Sequence, residues 1–205
     1  HLFKPANTYR IAPPMTAGAP SDVSGKKYNM GIGTLTTFYD KQASNNETTR
    51  VFLDSGTNPP EGVVVNYFLE NPSDINKIIL TFMDDKDNEI QSFSNKNRAC
   101  GDSEKEIDPK PNLTTLKGTN QFVWDMRYRE AKNIPGDKTC LQGIPGPLAT
   151  PGNYKVRLKT NDRDIHIQNF ELLPDPRITT TSEDYQSQFE FLINIREKLS
   201  DTHNC

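Results

Sequence analysis

The stretch Asn120–Tyr128 constrains this chain most. Phe122, Trp124 and Met126 alternate with Val123, Asp125 and Arg127, which is the period of a strand buried on one face. A second stretch repeats the pattern. After the Pro151-Gly152 turn, Tyr154, Val156 and Leu158 share one face and Lys155, Arg157 and Lys159 the other. Strands of this kind demand a partner sheet, and they predict a mainly β fold: an Ig- or fibronectin-like antiparallel β-sandwich.

Further strands follow the same logic. Val63–Leu69 precedes the turn Asn71-Pro72-Ser73. Lys77–Met83 and Glu89–Ser94 form a hairpin around Asp84–Asn88, and Tyr154–Lys159 pairs with Ile165–Leu172. Thr34–Tyr39 and Thr49–Leu53 have strand composition. Residues 1–22 are rich in Pro, Ala and Thr, which predicts an extended N-terminal arm. Beyond Pro174-Asp175-Pro176, Thr181 or Ser182 caps an amphipathic helix over Ser182–Ser200, with Glu183 and Asp184 favourable to its dipole. Tyr185, Phe189, Leu192, Arg196 and Leu199 recur at helical spacing and are the expected interaction surface. The expected organisation is residues 1–61 as arm and short strands, 62–175 as the sandwich, and 176–205 as the C-terminal helix.

Several function classes find little footing. The net charge is −3 with both signs interspersed, so no nucleic-acid partner is expected. No apolar run reaches the roughly 20 residues of a membrane span. The opening His1-Leu2-Phe3-Lys4-Pro5 lacks a signal-peptide pattern, as expected of a mature or excised segment, or of a cytosolic protein. The Asp85-x-Asp87-x-Glu89 spacing begins like a calcium loop, but Ile90 and Lys96 stand where glycine and glutamate are required. Neither metal nor other cofactor is expected. Three histidines are present, and a Ser–His–acid triad would have to use His166 in mid-strand. Asp125, Glu61 and Glu70 are the carboxylates that a glycosidase-type pair would draw on. None forms a catalytic constellation, so no enzyme activity is expected. Sugar stacking would use Trp124, Tyr128, Tyr67, Tyr154 or Tyr39. Cys100 and Cys140 flank the Trp124 strand in polar loops and are a candidate disulfide, worth roughly 3–4 kcal/mol by loop closure. Cys205 is the odd cysteine.

Four motifs occur in order along nearly the whole chain. They are Phe52–Val65 with its Gly56-Thr57-Asn58-Pro59-Pro60-Glu61-Gly62 turn, Asn120–Tyr128, Gly146–Leu158, and Asp175-Pro176-Arg177 with the helix after it. Together they resemble the C-terminal region of bacterial secreted proteins with sortilin-like, BNR-repeat β-propellers, often described as glycosyl hydrolases. The resemblance implies a non-catalytic accessory domain, extracellular or in the cell envelope, with the propeller as its partner. A carbohydrate-binding module for polysaccharide is the alternative it leaves open. It transfers no catalytic residue.

Overall fold

A computed structural model describes residues 1–11, 16–18, 27–31, 34–42, 48–53, 60–95, 113–132, 145–161 and 164–203. The elements are β1 (Thr8–Arg10), β2 (Thr16–Gly18), β3 (Lys27–Gly31), β4 (Thr34–Gln42), β5 (Thr48–Phe52), β6 (Val63–Leu69), β7 (Ile78–Asp84), β8 (Glu89–Ser94), β9 (Gly118–Trp124), β10 (Gly152–Thr160), β11 (Asp164–Pro174) and the helix α1 (Ser182–His203). The fold is mainly β with one C-terminal helix. No helix among the described residues is long and apolar enough to cross a membrane.

The chain divides into two compact units. One comprises His1–Ile11 and Gly62–Cys205, the other Ala12–Glu61. The smaller unit is an antiparallel sheet in the order β2-β3-β4-β5. Its Phe38 is fully buried and meets the Phe52 ring at 5.9 Å.

The larger unit holds a five-stranded sheet, β1-β11-β10-β7-β8, and a two-stranded sheet, β6-β9. Alternation places Ile78, Leu80 and Phe82 of β7, Val156 and Leu158 of β10, and Val63, Val65 and Tyr67 of β6 in one core. The outward residues of β11, Ile165, Ile167 and Asn169, are exposed, while Phe170 points inward and is buried. At the centre Trp124 stacks on Phe82, with ring centroids 4.4 Å apart, and donates its indole N–H to the Arg127 carbonyl at 3.1 Å. A buried indole keeps that bond because an unpaired N–H is costly in a dry interior.

The first eleven residues are built into the larger unit. Leu2 bridges to Tyr67 and is fully buried, and β1 runs parallel to β11. Phe3 donates its backbone N–H to the Asn66 carbonyl, and Phe68 donates to that of His1. One short segment thus joins the two-stranded sheet at its start and the five-stranded sheet at its end.

The Trp124 strand stops earlier than its alternation suggests. The Asp125 carboxylate accepts the Arg127 backbone N–H at 3.1 Å, and Met126 takes a φ of 60°. This local side-chain bond competes with the ladder and turns the chain. Pairing resumes beyond it, where Arg127 bridges to Leu148. Met126 stays buried, as the alternation requires.

Candidate functional site

The helix α1 presents the exposed apolar residues Phe191, Leu192 and Ile195, and its start is locally specified. Thr181 is the cap. Its hydroxyl accepts the Asp184 backbone N–H at 3.2 Å, while the Asp184 carboxylate accepts the Thr181 backbone N–H at 3.1 Å and its hydroxyl at 2.8 Å. That reciprocal arrangement is a capping box with Asp in the acidic position.

The junction before it is set by Asp175. This carboxylate receives the Arg177 guanidinium in two bonds, at 2.9 and 2.6 Å, and the Arg177 backbone N–H at 3.0 Å. These bonds hold its pKa down from 3.8 to about 2. A carboxyl depressed in the folded state contributes stability that is complete above its unfolded pKa and is lost as pH falls through its folded one. Wild-type protein is therefore expected to lose stability between roughly pH 4 and pH 2, and Asp175→Asn to lose less there. Denaturant unfolding at a series of pH values checks this.

One side of α1 turns to its own chain. Tyr185 is buried, with the Arg10 guanidinium 4.7 Å from its ring centroid. Phe189 meets Tyr128 at 4.7 Å between ring centroids, and Arg10 donates to the Gln188 side-chain oxygen at 3.3 Å. Further along, the Lys132 backbone N–H donates to the Ser200 hydroxyl at 3.1 Å, and the Lys132 carbonyl meets the His203 ring. Burial lowers the Arg10 pKa, opposed by the nearby Tyr185, and burial pushes the Tyr128 phenol up. Both stay in their usual charge states at neutral pH.

The expected interaction residues divide accordingly. Tyr185 and Phe189 face inward, and Arg196 and Leu199 are half-buried. Only Leu192 of that set is exposed, at 37%, and it stands beside Phe191 at 66% and Ile195 at 41%. Phe191 and Ile195 are four residues apart on the outward side. The 3.6 period identifies both apolar sides of α1. What decides between them is the position of Arg10 and Lys132, which helical spacing does not carry.

The other candidates disperse. Asp125, Glu61 and Glu70 are exposed, and Asp125 serves the turn described above. His166 is exposed on β11, its nearest ring partner being His1 at 6.3 Å. Trp124 and Tyr67 are fully buried, and Tyr154 nearly so, its hydroxyl donating to the Thr150 carbonyl at 2.6 Å. Those three offer no face to a sugar ring. Tyr128 is half-buried against Phe189, and Tyr39 is 37% exposed. In the acidic hairpin, Asp84 accepts the backbone N–H groups of Lys86 and Asn88 at 2.9 and 2.8 Å, which closes the turn from within. Among the described residues no three His, Cys, Asp or Glu side chains gather as a metal site would require. Cys100, Cys140 and Cys205, and with them the candidate disulfide, lie outside the described residues. No protein-family model, curated protein or solved structure matches this chain.

Proposed function

We propose that this chain is a non-catalytic accessory domain of a secreted, propeller-type bacterial protein, and that the outward side of α1 is its contact with the propeller. The observation that carries the reading is the stripe Phe191, Leu192 and Ile195. It is exposed and contiguous: Phe191 and Ile195 lie beside the side of α1 that is engaged with its own chain, and Leu192, three residues from Phe189 and seven from Tyr185, continues that side. Isolated apolar residues are ordinary on surfaces, whereas a contiguous apolar stripe marks a contact. Ile178, 52% exposed in the link before the helix, lies shortly ahead of it in the chain. On this reading the two sheets of the larger unit form an Ig-like sandwich, and their shared core supports it.

The test is the double variant Phe191→Asp/Ile195→Asp in the native protein, read by lysine cross-linking from Lys198. Wild-type protein is expected to give cross-links from Lys198 to the propeller, and the variant to lose most of them. Folding stability is expected to change by no more than about 1 kcal/mol, because both side chains are exposed on α1. Unchanged cross-links would remove α1 as the contact.

A further inference from the structure

We propose that α1 is a releasable latch, which undocks as a unit while the β-sheets of the larger unit remain folded. The core does not depend on it. The buried apolar cluster draws on β6 through β11 and on Leu2, Leu113, Met126 and Ala149, and it includes no residue of α1. Of the 22 residues in the helix, Tyr185 is the buried one among those described. Docked elements that bury so little open at a lower free energy than the core strands beneath them.

The mooring at the start of the helix is also poorly satisfied. Arg10 Nε and Tyr185 Oη are both buried and the two side chains face each other, yet among the described residues neither atom completes a well-formed hydrogen bond. A guanidinium N–H and a hydroxyl held this way give up solvation without a matching bond. Undocking returns both to water. The cation–ring contact offsets part of this cost, and the contacts with Lys132 are surface hydrogen bonds.

The helix, by contrast, has local reasons to persist once free. Its capping box lies within its own first turn, and Gln186 donates to Glu190 at 2.9 Å one turn on. Release would add Tyr185 and Phe189 to the apolar surface already presented by Phe191, Leu192 and Ile195. A helix that opens in this way would offer a partner one continuous, broader apolar face.

Native-state hydrogen exchange on the whole protein tests the latch. Amides of α1 are expected to exchange at least about 100-fold faster than those of β7 and β10. Tyr185→Phe keeps the ring and removes the poorly bonded hydroxyl, so it is expected to slow exchange in α1 about tenfold while leaving β10 unchanged. Equal exchange in α1 and β10 would make them one cooperative unit and overturn the proposal. Faster or unaltered α1 exchange in Tyr185→Phe would overturn it as well, because the hydroxyl would then hold the helix or play no part in its release.

Discussion

Trp124→Ala is expected to cost about 4 kcal/mol of folding stability and to lower the melting temperature by roughly 8–16 °C. The indole is fully buried, stacks on Phe82 at 4.4 Å, and meets the edges of Tyr154 and Phe170 at 6.2 and 6.3 Å. Alanine would leave a void between two sheets whose strands are tied to their own ladders and cannot collapse into it. It would also strand the Arg127 carbonyl that the indole N–H satisfies. Trp124→Phe retains most of the packing and loses the bond, so its cost is expected to be nearer 1–2 kcal/mol. Since this is the only tryptophan in the chain, unfolding is best followed by circular dichroism. A cost below about 1 kcal/mol for the alanine variant would mean that the two sheets do not share this core.

Gly62→Ala is expected to be comparably severe, for a backbone reason. Gly62 has a φ of 143°, and a Cβ there would stand 2.2 Å from the Trp124 carbonyl oxygen and 2.9 Å from its carbon. The clash falls beside the Val63–Trp124 pairing of β6 with β9. Relief requires the two strands to move apart beside the fully buried Val63 and Trp124. Gly152 supplies the comparison, because its φ of 152° is similar and no atom of the described residues lies within 4 Å of the position of its Cβ. Gly152→Ala therefore carries backbone strain alone, about 1–3 kcal/mol, and Gly62→Ala is expected to exceed it by at least 2 kcal/mol. Urea denaturation of the two variants measures the difference. Equal losses would show that conformational strain, and not the close approach of β6 to β9, governs both positions.

The strands were legible where one buried face met solvent across a short turn. Val63–Leu69 and Glu89–Ser94 have the bounds that alternation suggests, and β10 and β11 extend their expected segments by a few residues. Local chemistry hid the end of β9. Asp125 sits in an alternating run yet captures the Arg127 N–H, and periodicity has no means of registering that bond. Long-range pairing hid the role of the first eleven residues. Their Pro- and Thr-rich composition reads as an arm, whereas Leu2 is held by Tyr67 and β1 by the far end of β11. The same limit applies to α1. Its existence and cap were readable from Thr181 and the acids that follow, but its inward side is chosen by Arg10, 178 positions from Gln188. Of the expected contact set, Tyr185 and Phe189 meet their own chain, Leu192 is exposed on the same face, and Phe191 and Ile195 extend the exposed apolar surface beside it.

The intact mass of the native protein, purified from its source without recombinant expression, bears most directly on the accessory-domain reading. A polypeptide well above 23.2 kDa, with peptides of a multi-bladed propeller in the same chain, is the expected result. A native mass near 23.2 kDa, with no propeller protein associated, would contradict it.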